Sequence, residues 1–562
     1  MAVNVAGLVS VIVFYLVVMG TGFWASRKSK RAEARCTATQ SEVMMVGGRN
    51  LKTWVSIFTT TATAVGGGYI MGSAEVVYNP TRGLVWCILP LGFFVNLNIV
   101  GLFFVKPVRS KNYVTIMDPF QEKYGNRLTA CLFIPFLMAD VLWVASVLAA
   151  LGGTMSVILD ISSEVSIVIS AAVAILYTLL GGLYSVAYTD VIQLVLMLLG
   201  LWFCVPFAML SPATVSITNT SLTSLFQEPW VGSIQVEDLG AWLDEFLIVS
   251  IGSVCYQELY QRILATSTVL QAQVTCCISA FISVILVIPS VLIGAVAAST
   301  DWNQTSYGLP TPYEEGKAGS ILPIVLQHLC PQFVSLVGIG ALAAAVMSSI
   351  DSALLSSSSL FARNFYKAVV RTNASEREIL WAVKVSILVF GVIATALSMT
   401  SNSVFGLWIL SVDVMYTVVC AQLLAVLFLS RHVNRYGALG GLATSAILRG
   451  LAGEPSLGIM PVWTLPGDRL LPDGSLFQGF PFRTAIFLIS IASILLWSKA
   501  ALWVFTRGYL PPHWDVFEVR RPGADALRRE IGELRMEESK EKKEQLVSGE
   551  GASEGKMEEN SH

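Results

Sequence analysis

Residues 59–69 read Thr59-Thr-Thr-Ala-Thr-Ala-Val-Gly-Gly-Gly-Tyr69. They sit inside an apolar segment, 54–75, long enough to cross about 30 Å of hydrocarbon at 1.5 Å per residue. Each glycine in a regular helix costs about 1 kcal/mol against alanine. Lipid offers no hydrogen bonds, so backbone that leaves the helix must face protein or a water-filled cavity. The stretch therefore predicts a membrane helix that unwinds beside a cavity; helix packing through small residues is the alternative. A second segment of this kind is Ser250-Ile-Gly-Ser-Val-Cys-Tyr-Gln-Glu258. Its Gly, Ser, Gln and Glu do not suit a lipid-facing helix. Two interrupted segments five spans apart point to a transporter built from inverted repeats, spans 2–6 and 7–11.

Composition agrees. Of 562 residues, 54% are hydrophobic and only 13% charged, and mean hydropathy is +0.66. Soluble domains are about one-quarter charged, so an ordinary soluble enzyme, a disordered chain and a nucleic-acid binder are excluded. Further apolar segments near 6–25, 82–105, 128–151, 164–182, 188–210, 241–263, 272–298, 335–365, 378–400, 403–429, 436–452 and 482–506 bring the expected count to about thirteen spans. The first exceeds the 7–15 residues of a signal-peptide core and is expected to be retained. Arg27, Lys28, Lys30, Arg31 and Arg35 follow it, which places the N-terminus outside and this loop inside. Loops at 152–163 and 211–240 carry no Lys or Arg, as outside loops should, and an odd span count leaves the C-terminus inside. Fifty residues from His513 onward hold 13 acidic and 9 basic side chains, a solvated helix or a disordered tail. The resulting divisions are 1–53, 54–210, 211–240, 241–429, 430–512 and 513–562. Asn219 and Asn303 begin glycosylation sequons in outside loops, whereas Asn373 begins one inside.

Ionisable groups at membrane depth are candidates for function. Here they are mostly acidic: Glu75, Asp140, Asp190, Glu258, Asp351 and Asp413. The set suits a cation path, the alternative being pairing with backbone or arginine. Ala345, Ser348, Ser349 and Ser352 fall on one side of the ninth span, where hydroxyls and carbonyls supply the hard oxygen ligands of an alkali cation. A serine-rich packing seam is the alternative. The dispersed cysteines and histidines suggest no metal cluster, and no nucleotide loop or nucleophile–base pairing marks an enzyme.

Six stretches carry a resemblance: VGGR (46–49), VGGGYI (65–70), VKPVRSKNYVT (105–115), LYTLLGGLYSVAYTDVIQ (176–193), ASTDWNQTSYGLP (298–310) and AAAVMSSIDSALLSSSSLFARN (343–364). They are similar to the sodium:solute symporter family and, within it, to high-affinity choline transporters, from the first span to about Glu518. The resemblance implies an all-α polytopic membrane protein with two inverted five-helix repeats, a LeuT-like core. It implies one sodium ion held by the Ala62, Val65 and Ala345 carbonyls and the Ser348 and Ser349 hydroxyls, and a second at Asp190, Asp351 and Ser352. It places substrate beside Ala64, Gly66, Gly67, Trp143, Tyr256, Glu258 and Trp408.

The substrate region departs from the choline pattern. Ala64 stands where choline transporters carry Trp, and Cys255-Tyr256-Gln257 stands where they carry Pro-Trp-Gln. Aromatic faces hold a quaternary ammonium at about 0.5–2 kcal/mol each, Trp most strongly. Glu258 replaces a small apolar residue and either pairs with a cationic substrate or with Arg262 at i, i+4. The expectation is a sodium-coupled symporter of choline or a related small organic cation. The resemblance implies chloride dependence and location in the plasma membrane, with intracellular vesicles as a second location. It implies no other cofactor and no nucleic-acid partner. The rivals are a symporter of another small solute and a membrane sensor or channel-like protein that has lost concentrative uptake.

Overall fold

A computed structural model of the chain describes residues 39–517 and 519, apart from 160, 181, 401–402, 455–457 and 471–475, together with a few positions between 16 and 27. Most of the expected first span, the basic loop after it and nearly all of the charged tail lie outside the described residues.

Helix α1 (Gln40–Val46) starts at Thr39, whose hydroxyl accepts the Glu42 amide. The expected second span is two helices, α2 (Thr53–Ala64) and α3 (Gly67–Tyr78). Between them Val65 has ψ 66° and Gly66 has ψ −169°, so the axis is interrupted for two residues. The break falls at the start of the triple glycine, and Gly67 and Gly68 already begin the second half. Then come α4 (Leu89–Ile99), prolonged through a wide π turn to Arg109, the short α5 (Asp118–Tyr124), α6 (Asn126–Leu159), α7 (Ser163–Leu180) and α8 (Leu183–Met209).

The second interrupted span begins with α9 (Leu239–Leu247). It loosens through a π turn (Ile248–Gly252) and a 3₁₀ turn (Ser253–Cys255), becomes extended at Tyr256 and resumes as α10 (Gln257–Leu264). The two parts meet at a 48° bend. Helices α11 (Val269–Ala298), α12 (Ile321–Leu329), α13 (Gln332–Leu360), α14 (Glu376–Ser398), α15 (Val404–Val414), α16 (Arg435–Leu451) and α17 (Phe482–Arg507) complete the bundle. Helix α13 continues as a π segment to Val370, and α15 runs on through one to Phe428. A two-stranded hairpin, β1 (Arg469–Leu470) with β2 (Leu476–Phe477), precedes α17.

Every apolar segment expected from residue 54 onward is met by helix. Among the described residues, eight helices are long and apolar enough to span a membrane, or nine with the bent α9–α10 pair. The shortfall from thirteen has local causes. The first span is mostly outside the described residues, the α2–α3 pair is cut into halves of 12 residues each, α7 counts only as a shorter apolar helix over Ser163–Leu176, and the glycine-rich α16 has only 17 residues.

Lipid is as apolar as leucine, so these helices associate through close packing and buried polar bonds. A Cβ on Gly200 of α8 would fall 2.4 Å from the Ala341 Cβ of α13, and one on Gly294 of α11 would fall 2.8 Å from the Ala74 carbonyl of α3. Two of the membrane carboxylates serve as ties. Glu75 accepts bonds from the Ser403 hydroxyl (2.6 Å) and the Phe405 amide (3.2 Å), fastening α3 to the start of α15. Asp413 lies between Arg449 and Arg483, each at 2.9 Å, which joins α15 to α16 and α17. The cation-path expectation therefore does not extend to Asp413, whose charge is already compensated. At one end of the bundle Asp118 pairs with Arg363 (3.3 Å) and accepts the Val114 amide and the Thr115 hydroxyl. Burial works to raise the Asp118 carboxyl, but the Arg363 charge and these bonds outweigh it and hold it below the usual carboxylate range.

Candidate functional site

The two breaks face one narrow cavity. Helix α2 contributes Thr60, Thr63 and Ala64, and α4 contributes Phe93, Asn96 and Leu97. Trp143 of α6, Trp408 of α15, and Ser253, Tyr256, Glu258, Leu259 and Arg262 from the second break close the rest. An unwound helix brings side chains of normally distant turns to one wall, which explains why Ser253, Tyr256 and Glu258 all reach the space.

The walls are aromatic on several sides. The Trp143 ring lies 6.0 Å from Tyr256 and 6.4 Å from Trp408, and Phe93 stacks on Trp408 at 5.8 Å. Tyr256 shares a hydrogen bond with Ser411, which fixes the far end of the ring. Glu258 is 4% exposed, and its Oε1 atom makes no hydrogen bond. A cavity with electron-rich ring faces and one unpaired carboxylate is chemically suited to a compact organic cation.

Of the residues expected to touch substrate, Ala64, Trp143, Tyr256, Glu258 and Trp408 line this cavity, while Gly66 and Gly67 do not. Gly66 turns instead toward α13, where an added Cβ would fall 1.8 Å from Ser349 Oγ, and Gly67 faces Val346. Gly68 is the glycine beneath the rings: its Cβ position is 3.3 Å from Trp143 and 3.6 Å from Trp408.

The residues assigned to sodium lie where α2, the first break and α13 meet. The last bond of α2 runs from the Val65 amide to the Thr61 carbonyl (2.8 Å), and the first bond after the break runs from the Ile70 amide to the Gly66 carbonyl (3.0 Å). The carbonyls between, including those of Ala62 and Val65, have no helical donor and are free to bind a cation. Ser349 Oγ is buried and makes no hydrogen bond, whereas Ser348 donates to Asp190 Oδ1 at 2.6 Å. Ala345 lies one helical turn before them on α13. This donor set fits a hard monovalent cation.

Asp190 anchors a polar cluster beside it. It accepts from Thr59 and Ser348, and Arg262 approaches at 3.4 Å. Arg262 also donates to Ser352, and Thr178 donates to Asp351 at 2.9 Å while Asp351 Oδ2 stays unbonded. Arg262 corrects the i, i+4 expectation. It is fully buried and, of Glu258, bonds only the backbone carbonyl (3.3 Å); its two terminal nitrogens also reach Gln261, Asp190 and Ser352, while Nε makes no hydrogen bond. Breaking a buried pair of this kind costs about 3–5 kcal/mol. Arg262 as the Asp190 counter-ion, and Phe93, Asn96 and Ser253 as cavity walls, were not among the expected site residues. The mixed polarity of 250–258 hinted at Ser253 and the amide of Asn96 at membrane depth was a signal, but only tertiary contact reveals the others. Asn219 and Asn303 are exposed, each in a 3₁₀ turn between helices.

The sequence matches the sodium:solute symporter family over residues 44–445. It is 47% identical over 518 residues to the high affinity choline transporter 1 of Homo sapiens, covering 92% of this chain and 89% of that one. With the high-affinity choline transporter 1 of Drosophila melanogaster it shares 41% identity over 515 residues, covering 92% of this chain and 81% of the relative. The fold is similar to the outward-open, substrate-bound structure of a Na⁺-coupled sialic acid symporter, with a TM-score of 0.66 at 17% identity over 88% of this chain and 98% of that one. With a family match across most of its length and relatives more than 40% identical over the aligned residues, the chain belongs to the sodium:solute symporter family.

Proposed function

We propose that the chain is a sodium-coupled symporter that imports choline or a related small organic cation across the plasma membrane. The observation that carries this reading is the cavity between the two helix breaks, walled by Trp143, Tyr256, Trp408 and Phe93 and carrying the unpaired Glu258 carboxylate. Sodium, bound by the free carbonyls of Ala62 and Val65, the Ala345 carbonyl and the Ser348 and Ser349 hydroxyls, would join the first break to α13. A second sodium at Asp190, Asp351 and Ser352 would have to displace Arg262 from Asp190 and Ser352. Ion binding would hold the unwound backbone in the shape that completes the substrate site, so an inward sodium gradient drives uptake without covalent chemistry.

The reading carries thirteen spans, with 54–210 and 241–429 as inverted repeats, the N-terminus outside and the C-terminus inside. Chloride dependence belongs to it by likeness to the choline transporters. The absence of tryptophan at Ala64 and Tyr256 favours one second reading, a sensor or channel-like protein on the same fold. Uptake of labelled choline and a panel of labelled amines, with and without sodium, separates the two. Concentrative, sodium-dependent uptake supports the symporter; a sodium-independent current or binding without accumulation supports the alternative.

A further inference from the structure

We propose that the cavity selects organic cations bearing at least one N–H bond over quaternary ammonium ions, and that Glu258 makes the selection. This rests on the organic-cation reading above. Several polar atoms of the lining make no hydrogen bond, Thr60 Oγ1, Ser253 Oγ, Arg262 Nε and Glu258 Oε1 among them, and Glu258 is the only carboxyl group of the lining among the described residues. The Tyr256 hydroxyl is engaged by Ser411, the Asn96 amide donates to the Ser250 carbonyl (3.1 Å), and the Arg262 guanidinium is divided among Glu258 O, Gln261, Asp190 and Ser352. Glu258 Oε1 is a buried acceptor that closes no hydrogen bond, and the Trp143 ring N–H, unbonded as well, is the protein donor that interacts with the Glu258 carboxyl. The cavity therefore adds acceptor capacity at Glu258 where Ala64 withholds a ring.

A quaternary ammonium presents only methyl groups. It gains the ring faces and Coulomb attraction but offers the carboxylate no donor. A protonated tertiary, secondary or primary amine gains the same attraction and adds a charge-assisted N–H···O bond to Glu258, directed and shorter than a neutral one. Leaving a buried acceptor unmet is the larger part of such a preference, as in sites that reject an analogue lacking a hydrogen-bonding group. The four remaining faces still accept the methyl groups of a tertiary amine.

The test uses labelled choline and labelled N,N-dimethylethanolamine, which differ by one methyl group and are both cationic at neutral pH. In the unaltered full-length protein the tertiary amine should half-saturate uptake at a concentration about tenfold or more below choline. Glu258→Val should bring the two within about twofold of each other, mainly by weakening the amine. If that variant does not reach the surface, ligand-induced thermal shifts of the purified Glu258→Val protein provide the same ratio. Equal affinities in the unaltered protein, or a preference that survives loss of the carboxylate, would overturn the proposal while leaving sodium-dependent uptake of both cations standing. No sodium-dependent uptake of either cation by protein at the surface would remove the organic-cation reading, and this preference with it.

Discussion

Gly66→Ala is the most informative small change at the first break. Gly66 has φ −98° and ψ −169°, an extended conformation open to any residue, so the substitution adds no backbone strain. Its effect is steric. The new methyl would fall 1.8 Å from Ser349 Oγ and 2.7 Å from Ser349 Cβ, and rotating the hydroxyl relieves only the first contact. Either the break or α13 must move back by several tenths of an ångström, at a typical overpacking cost of about 1–3 kcal/mol. If about 1.4 kcal/mol of this falls on the state in which the Val65 carbonyl and Ser349 share an ion, the half-saturating sodium concentration rises about tenfold. Gly72→Ala is the control, since its Cβ position meets nothing nearer than Phe405 at 3.5 Å, an ordinary contact. The assay is uptake against sodium concentration, normalised to surface protein. An unchanged sodium response in Gly66→Ala at normal surface abundance would refute the proposal that the break and Ser349 share an ion.

Ser349→Ala removes the unbonded hydroxyl and should raise half-saturating sodium with little effect on surface expression; a packing seam would leave the sodium response unaltered. Asn303→Gln should abolish one glycan and increase gel mobility, whereas Asn373→Gln should not, and a shift with the second would overturn the proposed sidedness between these residues. Asp118 has a carboxyl pKa lowered in the fold, so its stabilising contribution is complete above the unfolded value of about 3.9 and is lost as pH falls through the lower folded value. Thermal stability from this pair should thus be flat between about pH 5 and 8, and Asp118→Asn should lower the melting temperature throughout that range, readable by fluorescence in detergent.

Much of the architecture was legible because membrane helices announce themselves by length and apolarity. The 65–68 region was recognisable as a break because consecutive glycines are costly in a helix and lipid cannot solvate what they expose. The placement of that break was less legible. Val65 and Gly66 unwind while Gly67 and Gly68 resume the helix, because α3 packs closely on Val346, Trp143 and Trp408. Local rules misdirected one pairing. Glu258 and Arg262 have the spacing of a helical ion pair, yet Arg262 turns to Asp190, 72 positions away in sequence, and to Ser352, 90 positions away. No periodicity encodes such a choice. Phe93 was hidden for a related reason: an apolar residue in an apolar span gives no sign of whether it meets lipid, a neighbouring helix or a cavity, whereas Asn96, an amide at membrane depth, was a legible signal.

The central claim is that a sodium gradient drives a small organic cation through this cavity. The most direct test reconstitutes the purified full-length chain in proteoliposomes and follows labelled choline and N,N-dimethylethanolamine under an inward sodium gradient. The account predicts accumulation of at least one of them above equilibrium, which collapses when the gradient is dissipated and is lost in Ser349→Ala at low sodium. Accumulation that ignores sodium, or binding that never becomes accumulation, would contradict it.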